Sequence, residues 1–154
     1  MATRNKQKSS HRKGESSTSG SLDPETITRI REMCLHNEAI IAAYLFGSAV
    51  KGNMKPTSDV DVALLIREAQ INNFPVLTFM AELEKACRKN VDVVLLNRAE
   101  ELLQHEVRRT GRLIFDRDPS QRKHFEIRGR KRYEDFLYLH RRYTRKVLYE
   151  QHDG

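Results

Sequence analysis

Two carboxylates set two residues apart, Asp59 and Asp61, stand at the head of an otherwise apolar segment, Ser58-Asp59-Val60-Asp61-Val62-Ala63-Leu64-Leu65-Ile66. In a β-strand successive side chains alternate between faces, so the two acids share one face while Val60, Val62, Leu64 and Ile66 fill the other. Like charges held that close resist ionisation unless a cation lies between them, and the pair is therefore a candidate seat for a hard divalent ion. A third carboxylate, Asp92, interrupts the run Val91-Asp92-Val93-Val94-Leu95-Leu96-Asn97. It reaches the same site if the two strands are neighbours. Oxygen ligands without Cys or His select Mg2+ or Mn2+ over zinc. The competing reading is that these acids only solvate strand ends; a third acid in an apolar strand weighs against it.

The loop before the acids runs Gly47-Ser48-Ala49-Val50-Lys51-Gly52-Asn53-Met54-Lys55-Pro56-Thr57-Ser58. Gly47 lets backbone approach a phosphate closely, Ser48 offers a hydroxyl, and Lys51 and Lys55 add positive charge, so the loop is suited to cradle a triphosphate. It is not a Walker A loop. Gly47 and Gly52 have that spacing, but Asn53 and Met54 stand where Lys and Ser or Thr are required.

These residues need elements to hold them. Asp23-Pro24-Glu25 reads as a helix start, with Asp as cap, Pro at the first position and Glu at the positive end of the dipole. Ile27, Ile30 and Cys34, with Met33, follow as one apolar stripe. Ala39 to Phe46 is a continuous apolar run ended by Gly47-Ser48, as expected of a buried strand. After the strand Asp59 to Ile66, residues 75–89 read as a helix with Leu77, Met80, Leu83 and Ala86 or Cys87 at helical spacing. Val91 to Leu96 is a strand, and Ala99 to Thr110 a helix that Gly111 is expected to end in a left-handed conformation. Leu113 to Phe115 offer a final short strand. From Ser120 the chain is basic and aromatic, with Phe136, His140, Tyr143 and Val147 on one helical face.

The 154 residues suffice for one domain, and Lys and Arg number 28 against 21 Asp and Glu, a net charge of +7 that favours polyanionic ligands. No apolar run is long enough to span a membrane and no secretory signal is apparent, so a cytoplasmic protein is expected. Cys34 and Cys87 fall in helical segments and are read as packing residues in a reducing compartment. Residues 1–21, rich in Ser, Thr, Gly, Lys and Arg, are read as a disordered basic tail. Residues 22–118 then form the principal domain and 119–154 a basic, aromatic helical extension. That extension holds Arg128, Arg130, Lys131, Arg132, Arg141, Arg142, Arg145 and Lys146 among Tyr133, Tyr138, Tyr143 and Tyr149. Such interleaving can bind RNA, although a solvated basic face on an amphipathic helix is the commoner use and a groove on a partner a third.

Gly47-Ser48, ten residues, then Asp59-Val60-Asp61 resembles the signature of the DNA polymerase β-like nucleotidyltransferase superfamily. Leu45-Phe46-Gly47-Ser48 through Ile66, with Asp92 downstream, is similar in particular to the minimal nucleotidyltransferases (MNT) encoded beside HEPN-domain ribonucleases in toxin–antitoxin pairs. The similarity runs from about residue 23 to 118 and includes Glu101-Leu102-Leu103-Gln104-His105-Glu106-Val107 and Thr110-Gly111-Arg112-Leu113-Ile114-Phe115. It implies an α+β fold, a small mixed sheet with flanking helices like the polymerase β palm. It also implies that Asp59, Asp61 and Asp92 bind metal and act in catalysis, and that Gly47, Ser48, Lys51 and Lys55 bind nucleotide. Family members often carry Arg directly after Gly-Ser, where this chain has Ala49.

The implied reaction is Mg2+-dependent attack of a hydroxyl on the α-phosphorus of ATP, with pyrophosphate leaving. The implied acceptor is a tyrosine of a HEPN ribonuclease toxin, which would gain AMP and fall silent, with this chain as the antitoxin assembled with it. Two alternatives stand beside it: transfer to a small molecule, as in aminoglycoside nucleotidyltransferases, and a non-catalytic antitoxin or nucleic-acid-binding module. The first commonly adds a sizeable C-terminal domain, and the second has no need of three clustered acids in apolar strands.

Overall fold

The computed structural model describes residues 20–150. Most of the tail expected at residues 1–21 lies outside the described residues. At its described end Gly20 forms an isolated antiparallel bridge with Met54, and Leu22, the first residue of the 22–118 domain, is buried in the core.

Helix α1 (Pro24–His36) begins as its sequence dictates. Asp23 caps it, accepting from the Thr26 N–H at 2.9 Å and from the Thr26 hydroxyl at 2.6 Å. Strand β1 (Ile40–Phe46) leads into a single helical turn, α2 (Ser48–Lys51), and strand β2 (Val60–Ile66) follows the loop. A 3-10 segment (Glu68–Asn73) and helix α3 (Val76–Cys87) connect to β3 (Val91–Leu95), and a 3-10 turn (Leu96–Arg98) to α4 (Glu101–Thr110). Strand β4 (Arg112–Asp116) and a long helix α5 (Pro119–Glu150) complete the order. No helix of the described residues is long and apolar enough to cross a membrane.

The four strands form one mixed sheet in the order β3-β2-β1-β4. β1 runs antiparallel to β2 and to β4, whereas β2 and β3 are parallel, the pair that required the crossover through α3. Helices α1 and α3 cover one face, where Ile27, Ile30, Cys34, Phe79, Leu83 and Cys87 pack on Val60, Val62, Leu64, Ile66 and Leu45. The opposite face carries Tyr44, Ala63, Leu65 and Leu96 beneath Val107 and Leu103 of α4 and Phe125 of α5. Both faces of β1 and β2 are therefore apolar, and a register shift between Ile40 and Ala42 sets Ile41 and Ala42 together in the second cluster.

Two sequence expectations are corrected. Leu77 is 72% exposed; the buried stripe of α3 is Phe79, Leu83 and Cys87, spaced four residues apart. Gly111 does not adopt the left-handed conformation: its φ is −67° and ψ 149°. Glycine is needed there because a Cβ would collide with the Val107 carbonyl oxygen, so close backbone approach and not a positive φ demands it.

Candidate active site

The parallel register sets Asp61 of β2 directly beside Asp92 of β3, and the antiparallel register sets Asp61 beside Phe46, the last residue of β1. Paired positions present their side chains on the same face, so Asp61 and Asp92 emerge together on the side of the sheet that α4 and α5 cover further along. Asp59 lies one residue before β2 and is exposed, as is Asp92, whereas Asp61 is half-buried. The expected strand start at Asp59 thus shifts by one residue.

The electrostatics follow from that placement. The Asp61 carboxyl is held above its ordinary range, first by burial, next by the negative charge of Asp92 and then by that of Asp59. All three acids are thus within mutual influence. Among the described residues no group of three or more His, Cys, Asp or Glu side chains is placed to hold a metal ion, so Asp59, Asp61 and Asp92 are not gathered into a ready three-ligand set. An open set of carboxylates is nevertheless what Mg2+ favours, since it keeps several waters and takes one or two carboxylates together with substrate phosphates. Oxygen-only donors and a destabilised Asp61 anion that a cation would relieve both fit such an ion.

Gly47 forms the third wall. Its φ of 65° and ψ of −142° are a conformation only glycine enters freely, and a Cβ built on it would collide with Oδ2 of Asp61. Backbone therefore packs straight against the carboxylate. The Val50 and Lys51 N–H groups donate to the Gly47 carbonyl at 3.2 and 3.1 Å, closing the turn that holds Ser48 beside the acids.

The two lysines are placed differently. Nζ of Lys51 lies 3.7 Å from Oε1 of Glu106 on α4, and that carboxylate is also 3.2 Å from Arg109, which holds it below its usual range. Lys55 sits in a tight turn: its N–H donates to the Ser58 hydroxyl and its carbonyl accepts the Ser58 N–H, both at 2.9 Å. That turn delivers the chain to Asp59, and no contact among the described residues draws the Lys55 ammonium to the acids. Sequence reasoning missed the anchoring role of Glu106. Nothing local marks it, because its partner is 55 residues away.

Two further contacts stiffen the site's frame. Asn97 accepts from the Ile66 N–H and donates to the Ile66 carbonyl, both at 2.9 Å, extending the ladder of β2 with a side chain. The Tyr44 hydroxyl donates to Glu126 at 2.6 Å, and Arg122 pairs with Asp116 and Glu126, so that β1, β4 and α5 are tied together. Burial, with Glu126 beside it, pushes the Tyr44 phenol well up, so it stays protonated as a donor.

Comparison with known proteins identifies the family and the fold. Residues 28–120 match the family described as polymerase beta, nucleotidyltransferase. The chain is 30% identical over 116 residues to protein adenylyltransferase MntA of Aphanizomenon flos-aquae, spanning 67% of this chain and 77% of that one. A crystal structure of a toxin–antitoxin with AMP-PNP superposes with a TM-score of 0.68 at 22% identity, covering 79% of this chain and 98% of that chain. A tri-AMPylated Shewanella oneidensis HEPN toxin in complex with MNT antitoxin gives 0.63 at 19% identity, covering 80% and 96%. At such identities the two structures establish the fold.

Proposed function

Because this chain belongs to the polymerase β nucleotidyltransferase family, we propose that it transfers AMP from ATP to a tyrosine of a HEPN ribonuclease toxin and thereby acts as the antitoxin. The observation that carries this reading is Asp61 standing beside Asp92 across β2 and β3 with the Gly47 backbone packed against it. Support for the protein acceptor comes from the MntA relative, a protein adenylyltransferase, and from the fold shared with an MNT antitoxin bound to an AMPylated HEPN toxin.

In this reading Asp59 and Asp61 hold a divalent cation, with Asp92 contributing a third carboxylate on the side of the entering hydroxyl. When bound, Mg2+ or Mn2+ supplies neutralisation of the phosphate charge and lowers the pKa of the attacking hydroxyl. Gly47 and Ser48 receive the triphosphate through backbone and hydroxyl, and Lys51, steered by Glu106, adds positive charge beside it. The tyrosine oxygen forms a bond to the α-phosphorus, the bond from that phosphorus to the bridging oxygen breaks, and pyrophosphate leaves. The phenolic proton passes to Asp92 or to water beside it. Residues 22–118 would carry this chemistry, braced by the first half of α5.

The test is transfer of labelled AMP from ATP to the purified toxin. Transfer should require Mg2+ or Mn2+ and vanish in Asp59→Asn and Asp61→Asn, both of which should remain folded. Incorporation by the double variant at the wild-type rate would sink the assignment of these acids.

A further inference from the structure

Helix α5 runs on past the helix it packs against. The Tyr133 ring lies on His105 of α4, with centres 3.8 Å apart and planes 8° from parallel. From there rings follow one another along α5 at spacings of three and four residues, which share a helix face. Tyr133 and Phe136 are 6.4 Å apart at 26°, and Phe136 and His140 are 5.9 Å apart at 18°. Among the described residues no further ring covers the end of this ladder. His140 is exposed, and Tyr143, the next residue of the face, is 70% exposed. Flat rings held near parallel are a surface on which another flat ring stacks.

Cations stand beside the open end. Between residues 138 and 150 four Lys or Arg face a single acid, Glu150. Arg141, Arg142 and Arg145 form no ion pair among the described residues, and Lys146 meets only Glu150, at 3.9 Å. A second copy of the helix would bring these charges against their own kind, which opposes pairing. An acidic protein face would satisfy the cations but offer the rings no flat partner. A single nucleic-acid strand supplies both, phosphates to the cations and unstacked bases to the rings.

We propose that the outer half of α5 binds single-stranded RNA, with a base extending the ring ladder at His140 and Tyr143 while Arg141, Arg142, Arg145 and Lys146 contact the flanking phosphates. The choice of RNA over DNA rests on the reading of the partner as a ribonuclease; the stacking surface itself does not.

The test is fluorescence anisotropy of a labelled single-stranded RNA of about 12 nucleotides, a length within the range of such sites, titrated with the full chain over a series of salt concentrations. The duplex of that RNA and a DNA strand of the same sequence serve as the other probes. Tyr143→Leu should weaken the RNA about tenfold without changing the salt slope, the loss of one stacked base. Arg142→Gln with Lys146→Gln should flatten the logarithmic salt slope by about 1.4, roughly 0.7 for each phosphate contact. Both variants should keep the wild-type melting temperature, because every residue changed is exposed. Asp59→Asn with Asp61→Asn should bind the RNA no more weakly than wild type, so failure of transfer and failure of RNA binding are separate results. A duplex held as tightly as the single strand, or normal binding by Tyr143→Leu, would reduce the surface to diffuse positive charge and overturn the proposal. DNA bound more tightly than RNA would overturn the choice of strand. A wild type that binds no RNA would refute the inference outright, and weakening of the toxin complex by the same substitutions would then give the face to a protein partner.

Discussion

The Asp61 carboxyl is lifted by burial and by two neighbouring carboxylates, so its ionised form strains the fold until a cation arrives. Asp61→Asn should therefore abolish transfer while raising the metal-free melting temperature. Mg2+ should stabilise the wild type and leave the variant unmoved in the same thermal scan; a destabilised variant would show that the acid has a structural role instead. Gly47→Ala adds a Cβ that meets Oδ2 of Asp61 and forces a side chain into a glycine conformation. It should lose about 1 to 3 kcal/mol in denaturant unfolding and most of its activity. At this scale the sequence was informative where spacing alone decides: the placement of Asp61 and Asp92 at the head of two apolar strands could be read from it. It was silent on Glu106, whose significance depends on contacts set by the whole fold. Cys34, fully buried with its thiol pushed up to about 12, fits the packing role read for it.

Of the helices that cover the sheet, α1 begins on the clearest local signal. Asp23 caps it, and the hydrogen bonds from Thr26 hold its carboxyl below the usual range. Asp23→Ala should cost about 1 kcal/mol at neutral pH. Because the folded-state pKa is the lower one, the contribution is complete above the ordinary aspartate range and lost as pH falls through the depressed value. The gap between wild type and variant in urea unfolding should close on acidification; a gap independent of pH would mean the cap acts through shape alone. The strands were legible because β1 and β2 are apolar on both faces and too short to be helices. The α3 stripe was misread because α3 is apolar on more than one side, and spacing from Leu77 and from Phe79 meets at the same Leu83 and Cys87. Tertiary cover, which no local pattern encodes, chose Phe79 and left Leu77 in solvent.

Helix α5 links the site to the rest of the molecule. Gly129 crosses α4 where a Cβ would come within 2.7 Å of Nη1 of Arg108 and 3.0 Å of Oε1 of Gln104, and Tyr133 stacks on His105 at 3.8 Å between ring centres. Beyond Leu137 the helix is exposed, with Tyr138, Leu139, Tyr143, Leu148 and Tyr149 each at least 59% open. Removing residues 138–154 should leave the melting temperature within about 3 °C, because exposed residues away from packed features contribute little; a collapse would show that the outer half braces the sheet. On the scale of the whole molecule, the proposed activity is transfer of AMP to a protein tyrosine at three acids on one end of the sheet. Its most direct test is intact-mass measurement of a HEPN toxin co-expressed with this chain. The toxin should gain mass in steps of one AMP with the wild type and none with Asp59→Asn plus Asp61→Asn, and growth protection should fail with the mass step. A toxin of unmodified mass beside the wild-type chain, with growth rescued equally well by the double variant, would contradict the account and make the antitoxin a binder alone.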